Sequence, residues 1–243
     1  MRNGIVSPNL PDEKVGLVLV KREPALLDAL EKLGIRALSP EKESGTDEEV
    51  SEHADTVCCA VGGNRFVVSP GQKKLKAELE SLGCRVLVSA PLSAPYPGDV
   101  LLNAAVTESF AVGNFQYTDP VLLEALSDRL LLRVKQGYAK CSLCFVTQNA
   151  VITEDEGIAR AMTEYGADVL EISKGDVYLS EKHYGFFGGA SGKLSKTELA
   201  VTGSLRFHRD GERIRDFAEK HGVKLTELTD GVMKDVGGII PLR

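Results

Sequence analysis

The sequence predicts a mixed α/β fold, a five-fold pseudo-symmetric propeller of β-β-α-β units whose ring is closed by the C-terminal strand. Three observations predict it. A strand–helix–strand pattern recurs about five times, with apolar strands starting at Val15, Phe66, Phe110, Ala150 and Leu199. Their spacing of roughly 40–50 residues is the range of arrays and propellers. Each later copy also carries a leading apolar segment, and the last such segment lies at the C-terminus, where the first copy lacks one.

The first unit opens with VGLVLV from Val15. Pro24 suits the first turn of a helix over ALLDALEKL, and Gly34 suits a left-handed stop before the strand Ile35–Leu38. The second has FVVSP from Phe66, a helix KKLKAELESL ending at Gly83, and CRVLVS. The third has FAVGN from Phe110, a helix starting at Asp119-Pro120, and LLLRV. The fourth has AVITED from Ala150, a helix ending at Gly166, and ADVLEI. The fifth has LAVTG from Leu199, a helix ending at Gly222, and VKLTEL. Apolar residues recur at three-to-four spacing within the helices, as in Leu26, Leu27, Leu30 and Leu33, which gives one sheet-packing face.

The leading segments are His53-Ala54-Asp55 before VCCAV, Pro97-Gly98-Asp99 before VLLNAAV, Tyr138-Ala139-Lys140 before CSLCFV, Gly189-Ala190-Ser191 before GKL, and Lys234-Asp235 before VGGIIPL. An open α/β sheet is the competing architecture. The additional strand per unit, joined by a hairpin turn such as Gly62-Gly63-Asn64, argues against it. The approximate units are 1–50, 51–96, 97–137, 138–187 and 188–243, within one domain. Closing the ring would remove an open sheet edge.

Composition narrows the function classes. Of 243 residues, 43% are apolar, enough for a core without disulfides or a structural metal. The net charge of −6, with no block of Lys or Arg, predicts no nucleic-acid partner. Met1–Lys14 offers no signal-peptide stretch, and the apolar runs have strand length, so no membrane partner and a cytoplasmic location are expected. The five cysteines are expected to be reduced. Cys141-x-x-Cys144 is read as two buried small residues in a strand, because alternation would send them to opposite faces. No metal and no cofactor are expected. Gly185–Lys193 fails the phosphate-loop pattern, since Phe187 and Leu194 stand at required Gly and Ser/Thr positions. Either a close ligand approach or a tight turn explains its glycines.

The repeat, together with YGFFGGASG (Tyr184–Gly192) and DVGGIIPL (Asp235–Leu242), resembles the pentein, or guanidino-group-modifying-enzyme, fold. The two short stretches also resemble an uncharacterised, mostly clostridial bacterial family assigned to that fold. One branch of the superfamily holds deiminases, dimethylargininase and amidinotransferases. Another holds a non-catalytic ribosome anti-association factor. The resemblance implies a central channel faced by the heads of the units: Asp55, Asp99, Lys140, Ser191 and Asp235, with Asn103, and with Asn114, Asp176 and Asp230 as additions. Three aspartates there would suit a small cationic ligand, an amine or guanidino compound.

The superfamily's enzymes carry a nucleophilic cysteine near the C-terminus. Here that strand reads Gly237-Gly238-Ile239-Ile240-Pro241-Leu242, and no cysteine follows Cys144. A non-catalytic binder is therefore expected. The alternatives are a hydrolase or amidinotransferase on guanidino compounds with a relocated nucleophile, for which Cys141 and His183 are the candidates, and a ribosome-associated factor. His53 and His183 are otherwise read as surface or hydrogen-bonding histidines. The sequence sets no oligomeric state.

Overall fold

The computed structural model describes residues 7–243. In the first unit, strand β1 (Leu17–Leu19), helix α1 (Pro24–Lys32) and strand β2 (Arg36–Leu38) form a right-sized β-α-β element, with β1 and β2 parallel. In the second, a single helical turn α2 (Ala54–Val57) leads into β3 (Cys58–Gly62), β4 (Arg65–Val68), α3 (Lys73–Ser81) and β5 (Arg85–Val88). The third comprises β6 (Ala105–Val106), β7 (Phe110–Gly113), α4 (Pro120–Ala125) and β8 (Leu130–Arg133). The fourth comprises β9 (Leu143–Thr147), β10 (Ala150–Thr153), α5 (Glu156–Tyr165) and β11 (Asp168–Glu171). The fifth comprises β12 (Ser191–Ser195), β13 (Glu198–Val201), α6 (Gly211–Lys220) and β14 (Lys224–Glu227), followed by the terminal β15 (Ile240–Pro241).

These strands make five three-stranded sheets. Each of the last four units builds its own sheet, from an antiparallel hairpin and a parallel crossover strand. The first sheet has the order β15-β1-β2, with Val18 opposite Pro241 and Leu19 opposite Ile240. The chain's last strand thus supplies the leading strand that the first unit lacks. In the second unit the hairpin turns on Gly63 and Asn64, both left-handed at φ 58° and 59°, the geometry that matches strand twist in a two-residue loop.

The middle strands β1, β4, β7, β10 and β13 are buried almost throughout, which explains their continuous apolar runs. The crossover strands β2, β5, β8, β11 and β14 are half exposed. The core divides into five clusters, and each spans two units. Leu75 and Leu79 of α3 pack with Leu17, Leu19 and Ile240. Leu122 of α4 packs with Val61 and Val67. Ile158 and Met162 of α5 pack with Phe110 and Val112. Ile214 and Phe217 of α6 pack with Ile152 and Phe187. Leu26 and Leu30 of α1 pack with Leu194, Ala200 and Ile239, so the last unit and the first share a cluster. No helix among the described residues is long and apolar enough to cross a membrane.

Strand β9 starts at Leu143, later than the sequence pattern suggests. Cys141 therefore lies in the turn before the strand, and the alternation expected of a Cys141–Cys144 strand does not apply. Cys144 joins the apolar cluster of α6, whereas Cys141 takes a polar setting.

Removing residues 240–243 tests the role of β15. It deletes Ile240 and Leu242, 3% and 5% exposed, each worth about 1.5–3 kcal/mol of burial, and bares one edge of β1. The truncated chain is expected to lose at least about 3 kcal/mol in urea denaturation. An unchanged midpoint would show that β15 does not complete the first sheet.

Candidate functional site

The turns that lead into the five sheets meet, and hydrogen bonds link them in a cycle. The Asp55 amide donates to the Gly237 carbonyl at 3.1 Å. The Asn103 side-chain amide donates to the Asp55 carbonyl at 3.2 Å, and its oxygen accepts from the Lys140 amide at 2.7 Å. The Gly189 amide donates to the Cys141 carbonyl at 2.7 Å, and the Gly238 amide donates to the Gly189 carbonyl at 2.7 Å. The segment at Gly237–Gly238 then returns to Asp55. Gly237 is left-handed at φ 73°, and a Cβ there would overlap His53, so the last turn reaches the second unit only as glycine.

Inside this hub lie His53, Asp55, Cys141 and Asp235. The Cys141 thiol donates to Asp55 Oδ2 at 2.9 Å and accepts from Asn103 Nδ2 at 3.4 Å. His53 Nδ1 stands 3.6 Å from Asp235 Oδ1. Asp235 accepts from the Phe186 amide through Oδ2 and from the Gly237 amide through Oδ1. One ring nitrogen of His53, one oxygen of Asp55 and the Cys141 sulfur lie within 4.8 Å of one another. Both ring nitrogens of His53 and Asp55 Oδ1 are buried with no hydrogen-bond partner among the described residues.

A cavity of about 390 Å³ opens onto His53, Cys141 and Asp235. Tyr138, Phe186 and Tyr184 form a row of rings along it, with centroids 6.3 and 6.2 Å apart. Tyr138 is anchored from behind, since its hydroxyl donates to Asp99 Oδ2 at 2.5 Å. At the mouth, His183 Nδ1 bonds Glu49 Oε2 at 2.9 Å.

Burial dominates the electrostatics. It pushes the His53 imidazole down, against the pull of Asp235 and Asp55, so the ring is neutral at pH 7. It pushes the Asp55 carboxyl up, partly offset by Lys140. It raises the Cys141 thiol well above its usual range, and the charges of Asp55 and Asp235 raise it further, so Cys141 is a thiol. Glu154, whose Oε1 accepts from the Phe187 amide at 3.0 Å, is pushed up to about 8 by burial.

The structure sorts the sequence candidates. Asp55, Asn103, Cys141 and Asp235 meet in the hub. Lys140 does so mainly through its backbone, while its Nζ reaches the Gly188 carbonyl at 3.4 Å. Lys140 and Ser191 face a small void of about 10 Å³ and not the large cavity. Asp99 does not reach the hub; the chain turns at Val100 and Asn103, which puts Asn103 at the hub position of the third unit. Asn114, Asp176 and Asp230 lie elsewhere, bonded to Lys135, Arg209 and Arg206. His183 is an exposed rim residue. His53 overturns its surface or hydrogen-bonding assignment, being 1% exposed and unpartnered. Its place at the head of a unit, two residues before Asp55, was the available signal; Tyr138, heading the fourth unit, carried the same one. In the Gly185–Gly192 run, Gly185 and Gly189 let the backbone close over Asp235, which a Cβ at either would overlap.

Residues 18–240 match the model of a family described as "Family of unknown function (DUF6873)". The chain belongs to that family. No curated protein sequence matches the chain. Among solved structures, an inosamine-phosphate amidinotransferase from Streptomyces griseus superposes with a TM-score of 0.58 at 12% identity, covering 100% of this chain and 97% of that one. An agmatine deiminase from C. jejuni gives 0.54 at 11% identity, covering 94% and 92%. A mutant of DDAH from Pseudomonas aeruginosa in complex with citrulline gives 0.53 at 10% identity, covering 88% and 92%. The family member described here therefore has the pentein fold, and identities this low carry the fold alone.

Glu154 provides a pH test of the buried charge. A folded pKa raised from 4.5 to about 8 means its favourable contribution is complete below pH 4.5 and is lost as pH rises through 8. Glu154→Gln is expected to match the parent's stability near pH 4. It should exceed it at pH 9, the gap growing by at most about 1.4 kcal/mol per pH unit. A gap independent of pH contradicts a carboxyl that is protonated at neutral pH.

Proposed function

We propose that the protein binds a small organic cation, an amine or guanidino compound, in the hub cavity without turning it over. The observation that carries this is the lining: the Asp235 carboxylate, 6% exposed, at the inner end, with aromatic rings of Tyr138, Phe186 and Tyr184 along the wall. A carboxylate and ring faces together recognise an amidinium or ammonium group, and each cation–ring contact adds about 0.5–2 kcal/mol when water is excluded. Asp47 and Glu49 place further carboxylates in the lining. Solved relatives in fold are named for amidino-group transfer, agmatine deimination and a citrulline complex, which fits the ligand class.

Two features support binding without catalysis. Where the resemblance places a cysteine, the C-terminal strand has buried Ile240 and Pro241, neither of which can act as a nucleophile, and Cys141 is held as a thiol. One observation favours a second reading. Cys141 does line the cavity, and a bound cation would offset the carboxylate charges that hold its proton. The thiolate so formed, its proton lost to solvent or a neighbouring carboxylate, would add to an amidinium carbon as the C=N π pair moves onto nitrogen, and the tetrahedral adduct would collapse by expelling a protonated amine.

A thermal-shift panel of arginine, agmatine, alkylamines and alkylguanidines separates these readings. At least one cation is expected to raise Tm by several degrees at saturating concentration, and Asp235→Asn is expected to abolish that shift. No shift from any member overturns the proposal. Stoichiometric labelling of Cys141 by a chloroacetamidine-type thiol probe would establish the second reading, whereas an unlabelled thiol supports the first.

A further inference from the structure

We propose that His53, Asp55 and Cys141 form a site for a single thiophilic divalent metal ion of the zinc class. The inference goes beyond the organic-cation reading and does not rest on it. It also departs from the sequence expectation of no metal.

The donors form a mixed nitrogen, oxygen and sulfur set, drawn from the turn at 53–55 and the turn at 140–141. Their candidate ligand atoms already lie within 4.8 Å of one another. A tetrahedral ion with bonds of about 2.0–2.3 Å places its donors roughly 3.3–3.7 Å apart, so the site needs side-chain shifts of about an ångström. The three residues are nearly or fully buried, at 1%, 1% and 2% exposure.

His53 supplies the independent observation. A fully buried imidazole ordinarily satisfies at least one ring nitrogen. Here Nε2 has no partner among the described residues and Nδ1 has only Asp235 Oδ1 at 3.6 Å, beyond hydrogen-bond distance, while Asp55 Oδ1 beside the ring is also unpartnered. The ring lines the cavity with Cys141. A metal ion would satisfy one ring nitrogen, Asp55 and the sulfur together. When it binds, Cys141 loses its proton to solvent, and the thiolate and the Asp55 carboxylate cancel the ion's two charges. No electron transfer is involved.

Neighbouring groups already have the disposition of outer partners. Asn103 Nδ2 donates to the Cys141 sulfur, and Asp235 Oδ1 stands 3.6 Å from His53 Nδ1, where it can orient the ring. A thiolate with an imidazole selects zinc-like ions over magnesium or calcium. Three protein donors leave a fourth position on the cavity side, the arrangement of an open site. The ring wall of Tyr138, Phe186 and Tyr184 remains free to face an organic ligand.

The test titrates the metal-free full-length protein with Zn²⁺ alone, and with Co²⁺ as a spectroscopic probe, in the absence of any amine. The expected result is one ion per chain and a thiolate-to-cobalt charge-transfer band. Cys141→Ser should abolish the band, Cys84→Ser should keep it, and His53→Gln should weaken Zn²⁺ binding by more than about 100-fold, beyond the loss typical of an outer partner. Circular dichroism confirms that each variant is folded. An unfolded variant transfers the decision to the parent protein, in which the band and unit stoichiometry must both appear. Absence of the band in the parent, or its persistence in Cys141→Ser, overturns the proposal. Cation-induced thermal shifts are read separately, so failure of either reading leaves the other standing.

Discussion

The Asn103 side chain is the constraint on which the hub depends. Its amide nitrogen holds the Asp55 carbonyl and touches the Cys141 sulfur, while its oxygen holds the Lys140 amide. One residue of the third unit thereby fixes the turns of the second and fourth. Backbone bonds through Gly189 and Gly237 complete the circuit. Each sheet has only three strands and would be marginal alone. Stability comes from apolar clusters shared between successive units, and the polar turns at their inner ends largely satisfy one another because they are buried from bulk water.

That same exclusion of water sets up the chemistry. Burial keeps His53 neutral and keeps the protons on Asp55 and Cys141 more firmly than in solution. A hub that gathers carboxyl groups, a thiol and an imidazole with an unpartnered Nε2 offers ligand atoms that an added cation, organic or metallic, engages once a proton leaves. The pentein fold supplies the meeting point of the turns, but which chemistry occurs there depends on the side chains at the heads of the units. In this chain the turn before β15 brings Asp235 to the hub, and the thiol comes from the turn before β9.

The repeat was legible because its signals are local. Helix stops at Gly34, Gly83, Gly166 and Gly222 all take left-handed backbone, and the middle strands are apolar runs because both faces are covered. The return of the C-terminal strand to the first sheet could be read because the first unit lacked a leading strand, whereas its register, Ile240 opposite Leu19, has no sequence signal. The site was legible only in part. Asp55, Cys141 and Asp235 stand at unit heads and meet. Asp99 stands at an equivalent place in sequence, yet two successive turns shift the hub position to Asn103. No periodic pattern reports an extra turn. Cys141 was assigned to a strand for the same reason, since an apolar run does not mark where pairing begins. The burial of His53 has no local signal, because it depends on what arrives from Asp235 and Gly237, far along the chain.

Native-state hydrogen exchange at the backbone amides of Asp55, Lys140, Gly189 and Gly238 tests the hub most directly. Each amide donates from the leading turn of one sheet to that of another. If the circuit holds the five units as one cooperative structure, all four should exchange only through global unfolding, with opening free energies equal to that measured by denaturation. Exchange of any of them through local openings much cheaper than global unfolding would show that the hub is not what binds the units together.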